Sequence, residues 1–306
     1  MHAIGIDVGG TSVKIGVVTN EGKVIDRDGF KINPKEPGLV ALRRIADIIS
    51  NFKKKYQLKG IGVGMPGILD LSKGMHLYSS TTLDSWCNID IVTTLHKMTN
   101  LKVALNNDAN AATLAEARFG RYKNAESIIL LTLGTGVGGG IVVNGKLIMG
   151  NKGQGAELGH ISINMRGRKC GCGRRGCLEA YASATALIKD TVKKLKKFSN
   201  SILNHKELDG KAIWDAYKKG DPLAAKVVND YIHYLGEGIL NYCVIFRPDV
   251  MLLSGGIANA GDLLLAPLRK YLRDNNDGIK GTAPVMLDLA TLKYDSGIIG
   301  AASLVL

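Results

Sequence analysis

Residues 4–18 read IGIDVGGTSVKIGVV, and residues 129–143 read ILLTLGTGVGGGIVV. Each is an apolar run, a short Gly/Thr turn and a second apolar run, the pattern of a β-hairpin with a permissive turn. Repetition of such a unit predicts two similar domains facing each other. The turns point to phosphate, because consecutive glycines let backbone N–H groups approach an anion closely and Thr adds a hydroxyl donor. In the first, Asp7, Gly9, Gly10, Thr11 and Lys14 combine an anion cradle, a cation and a carboxylate suited to hydrated magnesium. In the second, Gly134, Thr135 and Gly136 repeat the cradle without the lysine. One such hairpin would be read as a tight turn; two in one chain favour a nucleotide clamped at a cleft. Neither turn is GxxxxGK[ST], nor GxGxxG between strand and helix, which disfavours the P-loop and the Rossmann reading.

Working outward, 306 residues exceed one ordinary core and suggest two domains. Short β-branched runs alternate with longer amphipathic stretches, the signature of a mixed α/β architecture. Strands are expected at 3–8, 13–19, 24–32, 60–63, 103–106, 128–133, 140–143 and 250–254, and helices at 39–56, 109–119, 183–198, 222–246, 263–274 and 298–306. The first sheet pattern closes near Asn106, which gives an N-terminal α/β domain of residues 1–106 and a larger one of 107–297. The last helix, 298–306, is expected to pack back on the first.

Composition narrows the function classes. No apolar run reaches the roughly 18 residues of a membrane span, and the N-terminus MHAIGIDVGG lacks the head and apolar core of a secretory peptide, so a cytoplasmic protein is expected. The net charge of +13 is carried by runs such as Lys53-Lys54-Lys55 and Lys193-Lys194, read as solvated faces. Aromatics make up only 6% of the chain and no base-stacking pattern accompanies the lysines, which argues against nucleic acid. A basic surface still attracts a phosphorylated small molecule.

His160, Cys170, Cys172 and Cys177 form an H-x9-C-x-C-x4-C set in GAELGHISINMRGRKCGCGRRGCLE. One imidazole and three thiols within eighteen residues match the donors of tetrahedral zinc, and a reducing cytoplasm favours metal over a disulfide pair. Cys87 and Cys243 stand apart and receive no role.

In chain order, DVGGTSVK, GVGMPG, NDANAATLAE, LGTGVGGG, ELGH, CGCGRRGCLE and LLSGGI resemble the ROK family of bacterial sugar kinases and regulators, over nearly the whole chain. The resemblance implies an actin-like fold of the hexokinase superfamily, with two ribonuclease-H-like domains closing over ATP and sugar, and a homodimer. Regulators of the family carry a helix-turn-helix ahead of the first motif. Here that motif begins within seven residues of the start, which favours the kinase over a sugar-sensing regulator.

Phosphoryl transfer needs an in-line nucleophile, a base and cations. Asp108, lying between an apolar strand and a small-residue helix, could cap that helix or project into the cleft. Similarity to the family's NDxNAA motif makes it the base, with Asn107 as a sugar-hydroxyl ligand. The same resemblance assigns sugar contacts to Glu157, His160 and Glu179, to Gly67 in the GxPG turn, and an adenosine contact to Gly255 and Gly256. If one nitrogen of His160 binds zinc, the other is left to donate to the sugar. Many glucokinases of the family carry Pro-Asn-Leu before a Gly-Trp pair, where this chain reads STTLDSW with Thr82 in place of the Asn. Glucose is the first expected acceptor, at its 6-hydroxyl; N-acetylmannosamine is second, and fructose, mannose and allose remain open.

Overall fold

The computed structural model describes residues 1–78, 83–205 and 207–306. In chain order these form β1 (His2–Val8), β2 (Ser12–Val18), β3 (Val24–Lys31), α1 (Gly38–Lys53), β4 (Leu58–Met65), β5 (Ile68–Asp70), β6 (Met75–Tyr78), β7 (Ile89–Asp90), α2 (Ile91–Thr99), β8 (Lys102–Asn107) and α3 (Asp108–Phe119). There follow β9 (Ser127–Leu133), β10 (Val137–Val143), β11 (Lys146–Leu147), α4 (Glu179–Ala182), α5 (Ala184–Leu195), α6 (Gly210–Lys218), α7 (Pro222–Phe246), β12 (Val250–Ser254), α8 (Asp262–Asp274), β13 (Met286–Leu289) and α9 (Ser296–Ser303). Two five-stranded sheets result, ordered β3-β2-β1-β4-β8 and β11-β10-β9-β12-β13, beside a small sheet β5-β6-β7. The α/β expectation and its eight strands hold. The sheet of residues 68–90, α2, α6 and β13 were not foreseen.

Two compact units divide the chain: residues 1–126, 140–156 and 291–306 in one, 127–139 and 157–290 in the other. Where the sequence pattern suggests a division at Asn106, the first unit runs on through α3 and takes back α9. The reason is packing in the first sheet. Strand period places Ile4, Ile6 and Val8 of β1, with Ile61, Val63 and Met65 of β4, against Leu42, Ile45 and Ile49 of α1 and Leu95 of α2. The alternate residues face α9 instead, and there the sequence supplies almost no side chain. A Cβ on Gly5 would lie 1.9 Å from the Ile298 carbonyl oxygen, and one on Gly62 would lie 1.7 Å from that of Ala301. Gly300 of α9 approaches the Ala111 backbone of α3 in the same manner, a Cβ there meeting it at 2.5 Å. The glycines of IGID and IGVG are therefore contact surfaces for a helix backbone.

In the second unit, β12 runs parallel to both β9 and β13, with Ser254 opposite Thr132. The long helix α7 begins at the cap Asp221, which accepts from Ala224 N, and has Pro222 in its first turn; it ends at left-handed Arg247. Its apolar stripe from Leu223 to Cys243 is buried.

Candidate functional site

Within the first unit, strand register gathers the marked residues at one edge. Asp7 is opposite Gly64 across β1 and β4, and Gly64 is opposite Asn106 across β4 and β8. The Gly9-Gly10-Thr11 turn, the Gly64-Met65-Pro66-Gly67 turn and the Asn107-Asp108 pair thus leave the carboxyl ends of three adjacent parallel strands, where ligands of α/β sheets bind. Gly67 has φ +101°, a conformation that favours a residue without a Cβ.

Asn107, not Asp108, caps α3: its side-chain oxygen accepts from Ala109 N at 2.9 Å and Asn110 N at 3.3 Å. The Asn107 amide NH2 is the part left for a ligand. Asp108 becomes the first residue of the helix, half-buried, with Oδ1 2.8 Å from Ala109 N. Position at a helix N-terminus stabilises its negative charge.

Asp7 and Lys14 are register partners in β1 and β2, and their charged groups lie 3.6 Å apart. Burial raises the Asp7 carboxyl above its ordinary range, and Lys14 pulls it back. Lys14 also sits 4.7 Å above the Tyr294 ring, and Gly297 packs so tightly on Asp7 that a Cβ would meet its Oδ2 at 2.6 Å. Tyr294 and Gly297 lie near the C-terminus, and no short motif connects them to residue 7. Neither Gly9 nor Gly10 has a positive φ, so this turn does not use the conformational freedom that its glycines suggested.

In the second unit, three motifs meet at Val137. Glu179 Oε2 accepts from Val137 N at 3.0 Å. Gly159 of ELGH packs on the Val137 carbonyl, where a Cβ would lie 1.9 Å from the oxygen, and a Cβ on Gly136 would lie 2.4 Å from Glu179 Oε2. Gly134, Thr135 and Gly136 therefore form a turn pressed against a carboxylate; Thr135 also accepts, through its carbonyl, from the Thr185 hydroxyl at 2.8 Å. Gly255 has φ +87° and abuts the Leu133 backbone, so the Gly255-Gly256 turn lies beside it.

The zinc candidates converge: one ligand atom each from His160, Cys170, Cys172 and Cys177 lies within 4.8 Å of the others. Cys170 Sγ is 3.6 Å from His160 Nδ1, and Cys172 Sγ is 3.6 Å from Cys177 Sγ. Tetrahedral zinc with bonds of about 2.3 Å sets sulfurs about 3.8 Å apart, so the donor set fits. Burial pushes the Cys170 thiol up to about 12 and raises Cys177 as well, while at Cys172 burial is outweighed by hydrogen bonds, the Arg174 backbone N–H first, which hold that thiol below the ordinary range; a bound cation would favour the thiolates. No cysteine is in a disulfide. With Nδ1 facing sulfur, His160 turns Nε2 away from the cluster.

Glu179 joins cluster and turn, since Cys170 Sγ lies 3.7 Å from its Oε1. Glu157 is exposed at its edge, yet the protein around it raises its carboxyl above the usual range, His160 opposing and Glu179 adding. Residues that the sequence did not single out hold this arrangement. Arg168 pairs with Asp190 at 2.9 Å and stacks 4.4 Å from the Tyr181 ring, Tyr242 donates to the Leu158 carbonyl, and Gly238 gives Leu178 room on α7. Thr82 lies outside the described residues.

The family model described as ROK matches residues 3–306. A glucokinase from Thermotoga maritima is 38% identical, covering 100% of this chain and 97% of its own. A ROK hexokinase from Thermus thermophilus superposes with TM-score 0.85 at 31% identity over 100% of this chain and 98% of that one. A ROK glucokinase from Streptomyces griseus, solved with glucose and AMPPNP, gives 0.82 at 30%, covering 100% and 99%.

Proposed function

This chain belongs to the ROK family, and on that premise we propose that it is an ATP-dependent glucokinase transferring the γ-phosphoryl group to the 6-hydroxyl of glucose, with Asp108 as general base. The observation that carries the base assignment is the division of labour at α3: Asn107 caps the helix, and Asp108 stands next to it at the strand ends that also carry the Asp7–Lys14 hairpin. The sugar and donor rest on the names of relatives, a glucokinase at 38% identity and one bound to glucose and an ATP analogue at 30%.

The 6-hydroxyl oxygen attacks the γ-phosphorus in line while its proton passes to the Asp108 carboxylate, and ADP leaves with the electron pair of the broken P–O bond. Lys14 offers a cation to the phosphates, and Asp7 would hold magnesium, which would neutralise charge on the phosphates. Backbone N–H groups of the two glycine turns cradle phosphate, and the Gly255-Gly256 turn takes the purine. Asn107, Glu157, His160 and Glu179 bind sugar hydroxyls, with Gly67 contributing backbone. Charged acceptors penalise an analogue that lacks the hydroxyl. His160 and the three cysteines would hold zinc, which would fix the orientation of the His160 ring and have no contact with phosphate.

The same reading makes the enzyme a cytoplasmic homodimer, in keeping with five unpaired cysteines and with no helix, among the described residues, long and apolar enough to cross a membrane. ADP release from MgATP, measured with glucose, N-acetylmannosamine, N-acetylglucosamine, mannose, fructose and allose against a no-sugar control, tests it. A clear glucose preference is expected. Preference for N-acetylmannosamine would replace the sugar, and the absence of sugar-dependent release from folded, zinc-loaded protein would replace the kinase with a sugar-binding regulator.

A further inference from the structure

The first unit contains a second hollow, a cavity of about 690 Å3 along the outer edge of β8, none of whose walls comes from Asp7, Lys14, Gly67, Asn107 or Asp108. Its size falls within the range of small-molecule sites. Three cations line it, Lys73, Arg118 and Lys146, together with the hydroxyls of Ser72 and Thr93, and no carboxylate does. Neither Lys73 nor Lys146 is held in an ion pair among the described residues, and Arg118 donates to the Ser303 carbonyl, which leaves its positive charge unmatched.

The acids nearest in sequence are already engaged. Asp70 accepts from the Ser72 hydroxyl at 2.5 Å and has Lys152 at 3.9 Å, with Lys73 adding a weaker attraction, while Asp90 caps α2 by accepting from Thr93 N at 2.8 Å. A cavity whose walls hold three cations, the Thr93 hydroxyl and no carboxylate selects a compact anion with several acceptor oxygens. Its wall is shared with the catalytic element. Asn106 lines the cavity with Leu114 and Arg118 of α3, and its side-chain oxygen accepts from Asn107 N at 2.8 Å and Asn110 Nδ2 at 3.2 Å. Asn106 Nδ2 reaches Met149 Sδ, another wall residue, at 3.2 Å.

We propose that this cavity is an effector site for a small phosphate-bearing anion, coupled through Asn106 and α3 to the sugar end of the first unit. The coupling rests on the kinase reading; the binding does not. Calorimetric titration of the zinc-loaded full chain with glucose 6-phosphate and with inorganic phosphate, each in the presence of saturating glucose and AMPPNP, keeps the phosphate turns occupied. Saturable binding is expected, weakened at least about tenfold in Lys73→Gln/Lys146→Gln, since each lost contact to a charged group costs that much or more. Preference for the ester over free phosphate would identify an organic phosphate as the occupant, and equal binding would identify phosphate itself. Absence of saturable binding, or an affinity unchanged in the double variant, would overturn the site. Linkage requires the bound anion to shift the sugar KM in the native enzyme and not in the double variant, whose own turnover stays near normal; binding without that shift would overturn the coupling.

Discussion

The two hairpins that echo each other in sequence are built to opposite plans. In the first, charge is internal: Asp7 and Lys14 face each other across the strands at 3.6 Å, and a Cβ on Gly9 would meet nothing closer than 3.5 Å. In the second, the positions matching Asp7, Thr11 and Lys14 are Thr132, Gly136 and Gly139. A Cβ on Gly139 would lie 2.6 Å from the Leu130 carbonyl oxygen, so a lysine cannot stand there. This hairpin borrows its carboxylate, Glu179, from a segment that the metal cluster anchors. Similar backbones therefore carry dissimilar chemistry, one with built-in charges and one dependent on the loop that carries the His160 and cysteine cluster.

The largest effect should come from the first unit. Asp108→Asn keeps the shape of the strand end and removes the proposed base, so kcat should fall about 10²- to 10⁴-fold while calorimetry still detects sugar binding; near-normal kcat would show that the base lies elsewhere. Next comes the asymmetry of the glycines. Gly136→Ala must displace the Glu179 carboxylate and should weaken sugar binding about 10- to 100-fold, the range for one charged hydrogen bond. Gly134→Ala, whose Cβ would meet open space, should cost little. If the two variants behave alike, Glu179 is not set by the turn.

Cys172→Ser, which removes one thiol of the cluster, should raise the sugar KM about tenfold and the ATP KM far less, provided the variant stays folded, because the loop that orients His160 loosens. Equal rises in both constants would mean that the cluster merely holds the unit together. The smallest effect is on pH. Burial raises the Asp7 carboxyl and Lys14 lowers it, so Lys14→Met lets Asp7 take up a proton at higher pH. The acid limb of kcat/KM for MgATP should move upward, and an unmoved limb would detach Asp7 from magnesium.

The sequence made the hairpins, the cluster and most long elements legible, since each has a local signature: alternation, ligand spacing or helical period. What it concealed was fixed by contacts between distant segments. Asn107 and Asp108 are both good cap residues, and only the backbone at residue 108 decides which one caps. Gly136 and Gly159 look like turn glycines, but neither has a positive φ, and both are excluded from having a side chain by neighbours far along the chain. Arg168, Tyr242 and Tyr294 act through partners that no short motif contains. Strands β5 and β7, of three and two residues, are too short for a period to register.

The bare face that β1 and β4 present to α9 bears on how the protein is made. At a synthesis rate of about 5–20 residues per second, β1 leaves the ribosome roughly 15 to 60 s before α9 exists. Leu42, Ile45 and Ile49 of α1 can cover one face of the nascent sheet early; the other waits for the final residues. Because Gly5 and Gly62 stand there instead of valine or leucine, the waiting surface offers little apolar area to other nascent chains. Glycine here leaves the uncovered face with little apolar surface until α9 has been made.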